Sequence, residues 1–257
     1  MTRTIISWNV NGLRQRHTLN EFLPVFRHNP DIICIQETKT PKEKIPADLK
    51  KLYGYFIHCA PVTQGNFIEV MLFSRVKPVS VRYGFGTKPF DDEGRIIIAD
   101  FASFVLMNIY FPLGVGPVDT MEHKLAFYDA FLSCAGQLND TGRPVIICGD
   151  FSIAHTDDDV ECVKKHASLQ AGTTHTERGK IDTLIGMGYS DVLRMFRQGK
   201  GNYSWWPNGF HVPERHLGRR LDYFFANELG KSFVVDAEIF SGVEGSDHCP
   251  IQMEINR

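Results

Sequence analysis

The sequence predicts an α/β protein in which two β-sheets pack face to face with helices outside them. Three observations carry that reading. At least nine short runs rich in Ile, Val and Phe read as strands, against about four stretches of helical periodicity, which does not fit a repeating strand-helix barrel. Polar residues stand at the ends of those runs, where the loops of two packed sheets can converge. No Ser/Gly/Pro-rich linker, low-complexity tract or fixed-period repeat divides the 257 residues, so a single domain over 1–257 is expected.

Along the chain, the first strand is expected from Thr4 to Val10, with Asn9 and Asn11 at its end, and a short helix from Leu19 to Arg27. Asp31 to Gln36 reads as the second strand, closing on Glu37, Thr38 and Lys39, with a short helix from Pro41 to Leu52. Strands follow from Phe67 to Ser74, Arg95 to Phe101 and Phe104 to Phe111, the last carrying Tyr110. The longest helix is expected from Asp119 to Leu138, because Met121, Leu125, Tyr128, Phe131 and Leu132 share one face while Glu122, His123 and Lys124 lie largely off it. Pro144 to Cys148 is a strand, and Gly149 lets the backbone turn sharply at Asp150. The acid run Asp157, Asp158 and Asp159 reads as a solvated loop, Glu177 to Met187 as a helix, and Gly199-Lys200-Gly201 as a turn. The last strands are Leu221 to Ala226 with Asp222, Val234 to Phe240, and Pro250 to Ile255 behind Asp247-His248.

Composition bounds the function. At 43% hydrophobic residues and a net charge of −2, the chain can bury a large core and is no uniformly basic nucleic-acid coat. A polyanion would be held by local patches: Arg14 and Arg16, then Lys39, Lys42 and Lys44, and the dense set Arg215, His216, Arg219 and Arg220. Six cysteines (Cys34, Cys59, Cys134, Cys148, Cys162 and Cys249) without a C-x-x-C pair read as small buried hydrophobes of a reducing compartment. The first residues enter a strand at once, and no apolar run reaches membrane-spanning length. A soluble intracellular protein is expected, cytoplasmic, and nucleoid-associated if the source is prokaryotic, with no membrane partner.

The chemistry sits at the strand ends. A strand of five or six apolar residues is buried on one or both faces, so a carboxylate at its tip must be solvated, paired or bound to a cation. Glu37 with Asn9 and Asn11 suits a hard, oxygen-seeking cation such as magnesium, and no histidine-cysteine cluster supports zinc instead. Asp150, fixed at a rim, is placed to orient and deprotonate a water. Adjacent strand residues point to opposite faces, so His248 is expected to face a substrate phosphate, oriented by Asp222, while Asp247 supports the metal or a second ligand. No G-x-S-x-G elbow, phosphate-binding G-x-x-x-x-G-K-[ST] loop or H-E-x-x-H motif offers a competing site.

In order, WNVNGLR (Trp8 to Arg14), IQETK (Ile35 to Lys39), NIYFP (Asn108 to Pro112), CGDF (Cys148 to Phe151), RLDYF (Arg220 to Phe224) and GSDHCP (Gly245 to Pro250) resemble the exonuclease III family of abasic-site endonucleases, within the endonuclease/exonuclease/phosphatase superfamily. The resemblance spans essentially the whole chain. It implies a four-layered αββα sandwich of two mixed sheets, and a magnesium-dependent enzyme, with manganese able to substitute. The implied reaction is cleavage of duplex DNA 5′ to a lost base, accompanied in some members by 3′-5′ exonuclease or 3′-phosphodiesterase activity. The implied partner is duplex DNA with abasic or 3′-blocked lesions, met by a monomer. Residue by residue, the resemblance makes Glu37 the principal metal ligand beside Asn9 and Asn11, Asp150 the water-activating acid, and His248 the partner of Asp222. Asp247 becomes a second or supporting acid, and Tyr110 contacts the scissile phosphate or the leaving group. Arg14, Lys39, Trp205, Arg219 and Leu221 are the DNA-facing candidates.

The departures from that pattern lie in substrate contacts. Ser152 stands where asparagine usually follows CGDF to hold phosphate and water, and its hydroxyl is the candidate replacement. Asn66 to Met71 replaces G-Y-S-G-V-A, Arg219 replaces a pocket tryptophan, and Leu113 replaces a small polar residue. Ala167 and Gln170 stand in place of asparagines, and Thr173 in place of phenylalanine. Two alternatives therefore stand beside the abasic-site enzyme: a phosphodiesterase of the same superfamily with a shifted nucleic-acid substrate, and a catalytically weakened DNA-binding relative.

Overall fold

Strands with apolar residues at consecutive positions bury both faces, and that property builds three cores here. The computed structural model describes residues 2–62, 68–117, 119–162, 171–207 and 217–256. Among them, strands β1 (Thr2–Asn9), β2 (Ile32–Thr40), β3 (Phe56–Cys59), β4 (Ile68–Ser74), β11 (Val234–Ile239) and β12 (Ile251–Asn256) form one sheet, ordered β11-β12-β1-β2-β4-β3. Strands β5 (Ser80–Tyr83), β6 (Ile96–Asp100), β7 (Val105–Tyr110), β8 (Val145–Asp150), β9 (Tyr189–Asp191) and β10 (Asp222–Asn227) form the other, ordered β5-β6-β7-β8-β10-β9. Each sheet has one parallel pair near its centre, β1 with β2 and β7 with β8, and antiparallel pairs elsewhere.

Alternation along each strand divides its side chains between layers. Ile5, Cys34, Leu72, Leu106, Ile146 and Phe224 meet between the sheets. Trp8, Ile33, Ile35, Met71 and Phe73 face outward on the first sheet, against Leu13 of helix α1 (Leu13–Thr18) and Leu49 of α2 (Ala47–Lys50). Met107, Ile109, Ile147 and Phe225 face outward on the second, under helices α3 (Met121–Asp140) and α4 (His175–Gly186). Short helices α5 (Val192–Phe196) and α6 (Glu228–Lys231) flank the edge strand β9 and strand β10. Fully burying each of these branched and aromatic side chains stabilises the fold by roughly 1.5–3 kcal/mol, so three continuous cores hold the two sheets in one arrangement. The result is an α/β fold of two mixed sheets between helical layers.

All nine expected strands form. The three not anticipated, β3, β5 and β9, are short edge strands with a hydrogen-bonded neighbour on one side only, and Phe56 and Tyr83 in them are exposed. The expected helices at Leu19 to Arg27 and Pro41 to Leu52 are corrected to short 3-10 turns (Leu23–His28 and Lys42–Lys44) and the single turn of α2, because Pro24, Pro41 and Pro46 withhold the N–H groups a longer helix needs. Two further expectations change. Lys124, read as off the apolar face of α3, is fully buried on it, and Asp159, read as solvated, is buried in a capping box with Thr156 and in ion pairs with Arg194 and Arg220. Asn66, Phe67, Ala167, Gln170, Arg215 and His216 lie outside the described residues.

Candidate active site

The two parallel pairs end at the same end of the sandwich. The pairing of β1 with β2 ends at Asn9 and Gln36, and that of β7 with β8 at Tyr110 and Asp150. Their antiparallel neighbours bring two more residues to this end: Asp222 opens β10 opposite Asp150, and His248 lies just before β12. The pairing of β2 with β4 is interrupted between Gln36 and Thr40, where Glu37 and Lys39 adopt left-handed φ of 50° and 46°. Asn11 and Ser152 share that conformation at 43° and 50°. A left-handed backbone costs an ordinary residue about 1–2 kcal/mol, and these four cluster around one cleft.

The side chains form one connected network. Asn9, fully buried, donates from Nδ2 to Glu37 Oε1 at 3.0 Å and to Asp150 Oδ2 at 2.9 Å, while its Oδ1 accepts from the Asn11 N–H. Tyr110 donates its hydroxyl to Glu37 Oε1 at 2.8 Å, and the Arg95 guanidinium covers its ring. Lys39 Nζ lies 2.6 Å from Glu37 Oε2 and donates to Asn11 Oδ1 at 2.6 Å. Asp150 Oδ1 accepts from the Ser152 N–H at 2.7 Å and from its hydroxyl at 3.3 Å. His248 Nδ1 meets Asp222 Oδ2 at 2.8 Å, leaving Nε2 facing Asp150 Oδ2 at 3.8 Å. Ser204 donates to the same Asp222 oxygen at 2.6 Å.

Burial and crowding set the charges. Burial would depress the His248 imidazolium, but Asp222 and Asp150 outweigh it and push it up to about 10, so the ring is positively charged at neutral pH. Burial raises the Asp150 carboxyl, and the neighbouring charges of Asp222 and Glu37 add to the rise against His248. Burial likewise opposes ionisation of Glu37, but Lys39 and Asn9 hold it below the usual carboxylate range. Burial, with the Glu37 charge behind it, drives the Tyr110 hydroxyl well up, so it stays a neutral donor.

A divalent cation fits this donor set. Asp150, Asp222 and His248 lie within 4.8 Å of one another, and since the charged His248 ring has no free nitrogen lone pair the ligands would be carboxylates: Asp222 Oδ1 is buried without a hydrogen-bond partner, and Glu37 adds a further carboxylate bonded to the same Asn9 as Asp150. Three acids, Glu37, Asp150 and Asp222, face two cations, His248 and Lys39, and the oxygen donors suit a hard ion.

The structure does not use every expected site residue alike. Asn9, Glu37, Tyr110, Asp150, Ser152, Asp222 and His248 come together as above. Asp247 lies one step outside, its two oxygens accepting from Asn11 Nδ2 at 2.8 Å and Trp205 Nε1 at 2.9 Å, so it orients neighbours. Arg14 and Lys39 are exposed, and of the two Lys39 is the one that contacts the cleft, through Glu37 and Asn11. Trp205 packs with Leu221, Ala154 and Val160 in a small apolar patch, its ring centroid 6.4 Å from that of His248. Arg219, expected at the surface, is 5% exposed: its guanidinium packs near the Trp205 ring and donates to Ala171 O at 2.9 Å, because the strand-like bridges at Trp205 and Val160 draw it inward. Ser204 was not anticipated, and Glu69 was expected only as part of the Asn66 to Met71 departure in the substrate contacts. Glu69 is electrostatically coupled to Glu37, Lys39 and Arg95, and burial pushes its carboxyl up to about 7. Ser204 carries no signal in the sequence, since it gains its surroundings from strands distant along the chain.

Known proteins resemble this chain over nearly its whole length. The profile of the "Endonuclease/Exonuclease/phosphatase family" matches residues 6–248. "Exodeoxyribonuclease" of Bacillus subtilis (strain 168) is 34% identical over 98% of this chain and 99% of its own length. "Recombination repair protein 1" of Drosophila melanogaster is 36% identical over 98% of this chain, which spans 37% of that protein. Among solved structures, an AP endonuclease from Archaeoglobus fulgidus superposes with a TM-score of 0.85 at 26% identity, covering 99% of this chain and 100% of that one.

Proposed function

The chain belongs to the endonuclease/exonuclease/phosphatase family, and from that premise we propose that it is a magnesium-dependent DNA repair phosphodiesterase that cleaves duplex DNA 5′ to abasic sites. The observation that carries the reading is the convergence of Glu37, Asn9, Tyr110, Asp150, Asp222 and His248 at one end of the sandwich, with acceptor and donor groups facing one point. The names and activities of the similar exodeoxyribonuclease and AP endonuclease support the substrate class.

Each residue has a distinct task. Asp150, held by Asn9 and the Ser152 N–H, accepts the proton of an attacking water. His248, charged and fixed by Asp222, donates from Nε2 to a phosphate oxygen, and neutral Tyr110 offers a second donor where charge develops. Glu37 would hold the magnesium ion, which when bound acts as a Lewis acid on the phosphate. Trp205, backed by the buried Leu221, offers an apolar wall beside His248 for a sugar that has lost its base.

The test is cleavage of a labelled duplex carrying one stable abasic analogue, with magnesium or with EDTA. We expect a single metal-dependent product cut 5′ to the lesion. Asp150→Asn and Glu37→Gln should each lower kcat by at least about a hundredfold, the scale on which losing a positioned catalytic group is felt. Wild-type cleavage by either folded variant would overturn the assignment. The inward Arg219, where the family pattern has tryptophan, favours a second reading with a shifted nucleic-acid substrate. A panel with abasic, 3′-blocked and RNA-containing duplexes decides between them by kcat/KM.

A further inference from the structure

Two buried side chains one helical turn apart on α3 reach the backbone that follows Asp150. Tyr128 donates its hydroxyl to Phe151 O at 2.5 Å, and Lys124 Nζ donates to Ser152 O at 2.8 Å. The Phe151–Ser152 peptide is therefore held from both sides, because its N–H is the group that donates to Asp150 Oδ1 at 2.7 Å. The next peptide is fixed by Lys124 while Ser152 occupies its left-handed conformation. Lys124 also donates to Leu113 O at 3.3 Å, three residues beyond Tyr110, so one ammonium ties together the exits of both parallel strands.

The third partner of Lys124 is Glu177, at 2.6 Å, and both side chains are 0% exposed. Glu177 accepts in turn from the Gly172 N–H and from the N–H and hydroxyl of Thr174. A fully buried ion pair contributes little net stability over a well-packed apolar pair of similar volume, and its clearest return is a unique geometry. What this pair specifies is the path of the backbone beside Asp150. Gly172 completes the enclosure: a Cβ there would come within 2.8 Å of Ser152 O, the oxygen that Lys124 holds.

We propose that Lys124 and Tyr128 are positioning residues for the phosphodiesterase reaction, clamping two successive carbonyls so that the Ser152 N–H fixes the rotamer of Asp150. The proposal rests on the reading of Asp150 as the water-activating acid. Neither side chain touches the cleft, so each acts through the peptide it holds.

The test uses Tyr128→Phe, which keeps the ring and removes one hydroxyl, and the double variant Lys124→Met with Glu177→Leu, which leaves no unpaired buried charge. Asp150→Asn runs in parallel. Steady-state cleavage of the abasic duplex gives kcat and KM, and a ¹H–¹⁵N spectrum reports the Ser152 amide, shifted downfield by its short bond to the carboxylate. Both clamp variants should lose about tenfold or more in kcat, as misplacement of a reacting group by a fraction of an ångström does, with KM moving less than about twofold. The Ser152 amide should move upfield in each. Wild-type kcat in the folded variants, or a fall in kcat with the Ser152 amide unmoved, overturns the clamp while Asp150→Asn remains inactive. Retained cleavage by Asp150→Asn overturns the Asp150 reading instead, and the amide position then decides the clamp alone. If the double variant does not fold, Tyr128→Phe decides by the same two readouts.

Discussion

Ser152 joins two costs in one residue. Its φ of 50° is a conformation that asparagine tolerates better than serine, and its hydroxyl reaches Asp150 Oδ1 only at 3.3 Å, a long contact for an oxygen donor. Ser152→Asn should therefore relieve about 0.5–1 kcal/mol of backbone strain and raise the melting midpoint by roughly 1–4 °C. Cleavage should rise as well if the amide takes up the phosphate contact. Calorimetry and abasic-duplex kinetics on the same preparation check both, and an unchanged midpoint would mean that Ser152 carries no conformational cost. The unusual residue was visible in the sequence as a departure from the CGDF-Asn pattern. Its left-handed backbone was not, because that follows from the peptide held by Lys124 and Tyr128.

At the scale of elements, edge strands and their anchors were the least readable. Strand β9 is three residues long, and its last residue, Asp191, is tied in by Arg220 Nη2 at 2.6 Å. Arg220, 1% exposed, also donates from Nε to Asp159 Oδ1 at 2.6 Å, joining the 3-10 turn at 157–159 to the start of β10. Burial would raise the Asp159 carboxyl, but Arg220, the Thr156 N–H and Arg194 hold it down at about 2. A carboxyl depressed from its ordinary 3.8 stabilises the fold fully above about pH 4, and that contribution, about 2 kcal/mol, is lost as pH falls toward 2. Asp159→Asn should thus cost several kcal/mol at pH 7, about 3–5 with Arg220 left without this carboxylate, and its stability should change less than the wild type's between pH 4 and pH 2. Denaturant titrations across that range provide the check, and parallel pH curves for the two proteins would sink the argument. The run of three aspartates looked solvated because charge alone was legible. The buried arginine that claims the third lies 61 residues away.

Across the whole molecule, the relative placement of the two sheets decides whether the site exists. A polar network within the inter-sheet core fixes it: Asn108 of β7 donates to Met71 O of β4 at 2.9 Å and accepts from Gln36 Nε2 at 2.7 Å, and Gln36 also donates to Ser7 Oγ at 3.0 Å. Gln36 adjoins Glu37, and Asn108 stands two residues before Tyr110, so this network holds the two halves of the cleft in register. Asn108→Leu would strand Met71 O and a Gln36 N–H in an apolar layer and should destabilise the protein by about 2–4 kcal/mol. Chemical denaturation measures this directly; an unchanged midpoint would show that the sheets keep their register without the network.

The sequence by itself determined the class of fold and the chemistry of the tips. Strand-forming runs and the polar residues that end them are local signals, and burial of the runs leaves acids such as Glu37, Asp150 and Asp222 nowhere else to go. The ordered motifs from WNVNGLR to GSDHCP added the family. Tertiary structure alone decided the division of labour: Asn9 as a donor bridging two acids, Asp247 as an orienter of Trp205 and Asn11, Arg219 turned inward, and Lys124 buried on a face that periodicity assigned to apolar residues. Each of these depends on a partner supplied from far along the chain. Hydrogen-bond geometry and burial are properties of such pairs, and a one-dimensional pattern records the members without recording which of them meet.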